Sequence, residues 1–277
     1  MAGTYGRFTL FLALGIGLGS FNHASAQIQG SDLPDAPSEV EFHPRHGGDP
    51  ASDRKVSWGS VPKDFLHDQK AIWTFPLQLA KGKHLVPTLA IVGGTAVLIA
   101  TDKYTMPYFR NHQEQLDDVN DSFNSYLTSA EVIAVPAGLL IAGYERKDDY
   151  QVQTAILAGE AYANAAVVDL AMKAVTRRKR PSDIPVNGSF EDTFFAGGKS
   201  PFKGSSFPSG HAAGVFSVAT VVANRYRNHK WVPVLAYGFA TAISFSRITT
   251  ASHFPSDVFM GAAIGYTVTK YAVLQPR

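Results

Sequence analysis

Six apolar segments after Lys83 constrain the fold of this chain more than any other feature. They are rich in Ala, Leu, Ile, Val and Gly, and their lengths of about 12 to 24 residues exceed those of ordinary strands. Abundant Ala favours helix, and Gly and Pro occur mainly between the segments. The segments are Leu85–Ala100, Tyr126–Tyr144, Val152–Val175, Ala212–Ala223, Trp231–Phe245 and Val258–Leu274. The sequence therefore predicts an all-α fold, a helical bundle of about six main helices, with a kink or break at Pro136.

The hydropathy of these segments leaves their relation to a membrane open. A transmembrane helix needs about 20 predominantly apolar residues, whereas Glu131, Glu160 and Asp169 interrupt three of the segments. The mean hydropathy of the whole chain is -0.04, although the polar N-terminal part lowers that average. A helical bundle in the periplasm and a bundle partly embedded in the membrane both fit this pattern.

The first 26 residues resemble a bacterial secretory signal peptide. A positive start at Arg7 precedes an apolar run from Phe8 to Phe21, and Ala24-Ser25-Ala26 has the small residues of a cleavage site. An uncleaved N-terminal membrane anchor is the alternative interpretation. Both interpretations place the chain at or beyond the inner membrane, so we expect an exported protein of the cell envelope.

Residues 27–83 differ in character from the rest of the chain. They are polar and rich in proline, and they show no helical or strand period before about residue 65. We interpret 27–83 as a mostly irregular arm whose last part, 65–75, packs on the domain. Residues 84–277 are then the domain that carries the chemistry.

Composition excludes several classes of site. The chain has no cysteine, which rules out disulfide bonds, Cys-ligated zinc and a cysteine nucleophile. Its formal net charge of +2 is close to neutral, so an electrostatic function must come from local clusters. Bulk charge argues neither for nor against a nucleic-acid partner, and we predict none.

Basic residues and a glycine near a helix start suit the binding of a phosphate ester. Such an ester carries up to two negative charges near neutral pH, so its site must supply positive charge and oriented donors. Lys173 offers a point charge, while Arg180 and Arg247 offer planar forks. Gly210 lies where an apolar helix begins and exposes N–H groups there, and Ser209 adds a hydroxyl donor.

Two histidines in the same part of the chain suit covalent catalysis. His253 and Asp257 are four residues apart, about one helical turn, so the carboxylate can orient the imidazole and stabilise its cationic form. His211 is suited to proton delivery near neutral pH.

These residues fall into three ordered blocks within the last 105 residues. The blocks are Lys173–Pro181, Pro208–His211 and Ser246–Asp257, with 26 residues between the first two and 34 between the last two. Together they resemble the K-x6-RP, PSGH and SR-x5-H-x3-D signature of the type 2 phosphatidic acid phosphatase superfamily, over roughly residues 84 to 273. That superfamily includes lipid phosphatases, nonspecific acid phosphatases and vanadium-dependent haloperoxidases.

The resemblance implies a role for each matched residue. His253 attacks phosphorus to form a phosphohistidine, Asp257 fixes its tautomer, and His211 protonates the leaving oxygen. The phosphoryl oxygens are held without a metal or other cofactor, by Lys173, Arg180, Ser209, Gly210 and Arg247. The implied substrate is a lipid phosphate, such as phosphatidic acid or isoprenyl diphosphate, or a nonspecific phosphomonoester, and a membrane is an expected partner.

The sequence leaves alternatives to this interpretation open. A haloperoxidase would bind vanadate in the same site, and a non-catalytic protein could use the fold for binding alone. A metal site made of His211, His253 and Asp257 is disfavoured because three neighbouring basic residues repel a cation. We interpret Arg177, Arg178 and Lys179 as a basic cluster beside the membrane.

Overall fold

A computed structural model of the chain describes residues 53–116, 120, 125–197 and 205–277, and within Ser125–Glu131 it describes the backbone alone. The predicted signal peptide and residues 27–52 of the arm lie outside these residues. The described part contains helices and no strand, which confirms the all-α prediction. Its α-helices are α1 (Val61–Trp73), α2 (Phe75–Ala80), α3 (Leu85–Asn111), α4 (Ser125–Arg146), α5 (Asp149–Thr176), α6 (Gly210–Arg225), α7 (Trp231–Thr249) and α8 (Pro255–Val268).

Helices α3 to α8 are the six that the sequence predicts. Helix α4 continues through Pro136, so the predicted break does not occur there. Helix α5 begins after Asp148, whose carboxylate accepts hydrogen bonds from the N–H groups of Tyr150 and Gln151 at 3.0 and 3.1 Å. A short 3-10 turn follows at Pro181–Asp183, and a π-helical turn extends α8 over Thr269–Val273.

One apolar core of the bundle is centred on α6. Leu157 of α5, Val221 of α6 and Ile243 of α7 are fully buried together. Helix α8 packs against α6 with its backbone unusually close. A Cβ atom added to Gly261 would lie 2.3 Å from the carbonyl oxygen of Ser209, and one added to Gly265 would lie 2.3 Å from that of Ala213. This close contact aligns the start of α6 with the start of α8.

Residues 53–80 are more ordered than the predicted arm. The structure forms two short helices, α1 and α2, where the sequence predicts a mostly irregular segment. This part packs on the domain, as predicted, but ion pairs rather than apolar contacts stabilise much of the packing. The buried Arg54 guanidinium donates to the Glu160 carboxylate at 2.8 and 3.0 Å and lies 3.0 Å from Asp64. Glu160 is therefore part of a buried ion-pair cluster in the middle of α5.

The first half of α3 has an apolar surface that the described part of the bundle leaves uncovered. Val86, Leu89, Val92 and Val97 are all more than half exposed. By length and composition, α3 and the segment Asp149–Asp183 that contains α5 could each cross a membrane. The two differ in burial, because half of the apolar window of Asp149–Asp183 is buried inside the bundle whereas only 11% of that of α3 is buried.

We expect Gly265→Ala to destabilise the protein by about 1–3 kcal/mol, because the added methyl group would overlap the backbone of α6. The matched control is Gly159→Ala on α5, where an added Cβ meets no atom within 4 Å. Alanine stabilises an exposed helical position by up to about 1 kcal/mol relative to glycine, so this control should unfold at the same or a higher temperature. Thermal unfolding of both variants tests the close contact, and equal unfolding temperatures would contradict it.

Candidate active site

One pocket brings together residues from all three sequence blocks. It has a volume of 360 Å³ and lies between α4, α5, the start of α6 and the turn before α8. Its polar lining includes Lys173, Arg180, Gly210, His211 and His253. Ser209, Arg247 and Asp257, the other predicted site residues, are buried and do not line the pocket.

Lys173 and Gly210 meet at one wall of the pocket. Lys173 lies in the last turn of α5, and its ammonium group donates to Oδ2 of Asp169 at 2.7 Å. A Cβ atom on residue 210 would lie 2.9 Å from this ammonium nitrogen and 3.0 Å from Oδ2 of Asp169. Glycine at 210 therefore allows the start of α6 to approach the cation.

Asp169 is a site residue that the sequence interpretation missed. It is buried and lines the pocket, where it neutralises part of the charge of Lys173. The sequence carried a signal for it, since an acid four residues before a lysine on one helix is a common ion pair.

Ser209 connects the second block to the third. It is fully buried as the N-cap of α6, with its hydroxyl oxygen 3.4 Å from the N–H of Ala212. Its own N–H donates to the backbone carbonyl of Asp257 at 2.9 Å. The predicted phosphate donor thus also serves as a helix cap.

The His253 ring is oriented first by a backbone carbonyl. Its Nδ1 lies 2.8 Å from the carbonyl oxygen of Ser206 and 3.6 Å from Oδ2 of Asp257. Since a carbonyl only accepts, the proton lies on Nδ1 and leaves the lone pair on Nε2. Burial lowers the pKa of His253, although the Asp257 charge opposes this effect, so the imidazole is neutral near neutral pH.

The Asp257 carboxylate is fully buried and held by several donors. Oδ2 accepts from the N–H of Phe254 at 2.8 Å and from the hydroxyl of Ser206, and Oδ1 accepts from Arg178 at 2.6 Å. Burial raises the pKa of this carboxyl, but the contacts with His253 and Arg178 outweigh burial and leave the pKa below its usual value. The group is therefore ionised near neutral pH.

The interpretation of Arg178 as part of an exposed basic cluster is wrong. The backbone turns at Arg177, which has a φ of 43°, and the next side chain enters the protein. Arg178 is 1% exposed and donates to Asp257, Asp102, Ser256 and Thr193. Composition alone does not separate a buried arginine from its exposed neighbour Lys179.

Arg247 lies in the last turn of α7 and is also buried. Its guanidinium donates to the hydroxyl of Ser246 at 2.9 and 3.1 Å, and its carbonyl accepts from the N–H of His253 at 3.0 Å. The backbone of Arg247 therefore contributes to the position of the histidine.

Burial and positive neighbours keep His211 neutral. Burial lowers its pKa most, and the charges of Arg247, His253, Lys173 and Arg180 lower it further, to about 4. A bound anion would offset these charges and raise the pKa of His211 again. The arrangement therefore suits an anionic ligand, and the described residues contain no group of three or more acidic or histidine side chains placed to hold a metal ion.

We expect Arg247→Lys to weaken the binding of orthovanadate, a phosphate-shaped anion, by roughly 10- to 100-fold, because a lost charge-assisted contact costs about 1.5–3 kcal/mol. The control Arg146→Lys alters an exposed arginine at the end of α4 and should leave the affinity unchanged. Calorimetric titration with vanadate measures both. Equal affinities in the two variants would remove Arg247 from the anion site.

Comparison with known proteins agrees with the sequence signature. Residues 154–277 match the family model of the PAP2 superfamily. The lipid A 1-phosphatase of Porphyromonas gingivalis is 40% identical over 65 residues, which cover 23% of this chain and 15% of that relative's length. The chain thus matches only a small part of that relative.

Two solved structures are also similar. The crystal structure of Aquifex aeolicus LpxE is 24% identical, with a TM-score of 0.37, over 56% of this chain and 90% of that one. The transmembrane PAP2 type phosphatidylglycerolphosphate phosphatase from Bacillus subtilis is 19% identical, also with a TM-score of 0.37, over 73% of this chain and 92% of that one.

Proposed function

We propose that this chain, whose residues 154–277 belong to the PAP2 superfamily, is a metal-independent phosphatase of the cell envelope. Its proposed substrates are lipid phosphates. The observation that carries the proposal is the pocket in which Lys173, Arg180, Gly210 and the two histidines meet. Cations, a helix N-terminus and a neutral imidazole are together suited to phosphoryl transfer to a histidine.

In the first half of the reaction, Nε2 of His253 attacks phosphorus and the bond to the leaving oxygen breaks. The negative charge of the bound ester raises the pKa of His211, which takes up a proton from solvent and donates it to that oxygen. The alcohol therefore leaves neutral and the phosphoryl group stays on His253. Lys173, Arg180 and Arg247 stabilise the charge on the other phosphoryl oxygens, together with N–H groups at the start of α6. Nδ1 of His253 stays protonated, because the Ser206 carbonyl accepts that proton and Asp257 supplies a nearby negative charge.

In the second half, water attacks the phosphohistidine. His211 is now neutral and takes a proton from this water, while the bond between phosphorus and Nε2 breaks. When phosphate leaves, the pKa of His211 falls, and the residue releases this proton to solvent, so both histidines are neutral again. The low pKa of His211 in the free protein fits this cycle, because bound phosphate raises that pKa and its release lowers it.

A lipid substrate is supported by apolar surface at the pocket and beside it. Ile133, Tyr162 and Leu170 line the pocket and are each more than 40% exposed, so they can contact an acyl chain next to the phosphate. The exposed apolar half of α3 would lie in the hydrocarbon of a bilayer. The name of the Porphyromonas gingivalis relative also states a lipid substrate. Export through residues 1–26 stays a prediction.

The proposal is tested by phosphate release from phosphatidic acid, phosphatidylglycerol phosphate, isoprenyl diphosphate and p-nitrophenyl phosphate, each in excess EDTA. We expect turnover that EDTA leaves intact and vanadate inhibits, with a lipid as the best substrate. Preference for the soluble ester would indicate a nonspecific phosphomonoesterase. A protein that hydrolyses none of these esters would be a binding protein. If vanadate then conferred halide oxidation on it, the haloperoxidase alternative would hold instead.

We expect brief exposure to a phosphorus-labelled substrate to leave an acid-labile, base-stable phosphate on His253. His253→Ala should lose both the label and turnover, since the proposed nucleophile is gone. His67→Ala, at an exposed histidine of α1, is the control and should keep both. Labelling that persists in His253→Ala would assign the nucleophile to another residue.

We expect His211→Ala to slow alkyl phosphates far more than p-nitrophenyl phosphate, whose leaving oxygen needs little protonation. In the wild type, kcat/KM for an alkyl phosphate should decline as pH rises above about 4, because it reports His211 in the free enzyme. The corresponding decline in kcat should occur at a higher pH than the decline in kcat/KM, because bound phosphate raises the pKa of His211. Equal slowing of both ester types would contradict this role of His211.

A further inference from the structure

A buried chain of charges extends from the proposed nucleophile to α3. Asp257, next to His253, accepts from Nη1 of Arg178 at 2.6 Å, and Nη2 of the same guanidinium donates to Oδ2 of Asp102 at 2.7 Å. Asp102 lies in the second half of α3, and each of these three charged side chains is at most 1% exposed. Ser256 links Arg178 to Asp102 a second time, because its hydroxyl donates to Asp102 and accepts from Arg178.

The surroundings of Arg178 hold its guanidinium in one orientation. Nε donates to the hydroxyl of Thr193 at 3.0 Å. The plane of the group lies over the ring of Phe254 at 3.8 Å and near that of Phe194 at 4.5 Å. A guanidinium fixed in this way presents its two ends to the two carboxylates. Lysine has a single point charge and does not reproduce this arrangement.

We propose that Arg178 and Asp102 are positioning residues for the proposed catalytic pair His253 and Asp257. Arg178 keeps Asp257 ionised and in place behind the imidazole, and Asp102 keeps Arg178 in place. Neither residue belongs to the three-block signature, and neither lines the pocket. The inference rests on the proposed function, because it concerns the histidine that we assign as nucleophile.

Charge explains why this role differs from ordinary core packing. The charged and titratable groups that face Asp257 are Arg178, His253 and, further away, Asp102. Without the guanidinium, two carboxylates would share a buried region with only a neutral imidazole beside them. A buried carboxyl without its cation takes up a proton, so the pKa of Asp257 would rise. A protonated Asp257 no longer supports the positive charge that His253 develops on attack.

The test compares Arg178→Gln with Arg225→Gln in the full-length protein. Arg225 is equally buried and lies over the ring of Tyr150 at 3.7 Å, but it contacts α5 and the arm rather than the pocket. With p-nitrophenyl phosphate, the kcat of Arg178→Gln relative to wild type should be lower at pH 5 than at pH 8 by roughly tenfold or more, because its Asp257 is protonated at low pH. Arg225→Gln should lower thermal stability but leave the shape of the pH profile unchanged.

A double variant distinguishes an electrostatic role of Arg178 from a purely structural one. Arg178→Gln with Asp102→Asn removes one of the two carboxylates that the lost cation leaves behind. We expect it to recover part of the activity that Arg178→Gln loses at pH 5, whereas a purely structural role predicts that the two losses add. Parallel pH profiles for Arg178→Gln and Arg225→Gln, or a double variant worse than either single one, would overturn the inference. A wild-type protein that hydrolyses no ester would instead overturn the proposed function.

Discussion

The buried carboxylate of Asp257 is the point at which the separate parts of the site are joined. Its side chain accepts from Arg178, which follows α5, and from Ser206, which precedes α6. Its backbone carbonyl accepts from the N–H of Ser209 at the cap of α6. Segments that lie far apart in the sequence therefore depend on one residue for their mutual position. Because that residue is fully buried, its negative charge is stable only while these donors surround it.

The sequence predicts the bundle well because the relevant forces are local and repetitive. Long Ala-rich segments specify α3 to α8, and the three blocks specify residues that line one pocket or contact the residues that line it. Helix α1 escapes prediction because ion pairs between Arg54 and distant acids stabilise it. Arg178, Asp102 and Ser206 escape for a similar reason, since their function depends on partners that only the folded chain supplies. Asp169 alone had a readable signal, its spacing from Lys173.

The two described helical segments that are long and apolar enough to cross a membrane differ in their surroundings. Apolar side chains of the first half of α3 are exposed, whereas α5 has a buried ion-pair cluster at its middle and half of its apolar window is buried. Helix α5 is therefore better described as a core helix than as one surrounded by lipid. Length and composition alone do not make this distinction.

The glycine contacts between α6 and α8 limit how the site can diversify. Because two backbones touch at Gly261 and Gly265, helices α6 and α8, which begin at Gly210 and Pro255, form a rigid pair. Their separation does not adjust to the size of a substrate. Adaptation to a larger or smaller substrate must therefore come from the wall formed by α4 and α5, where Ile133, Tyr162 and Leu170 face the pocket. Evolution of a new substrate preference can proceed on that wall while the chemistry stays unchanged.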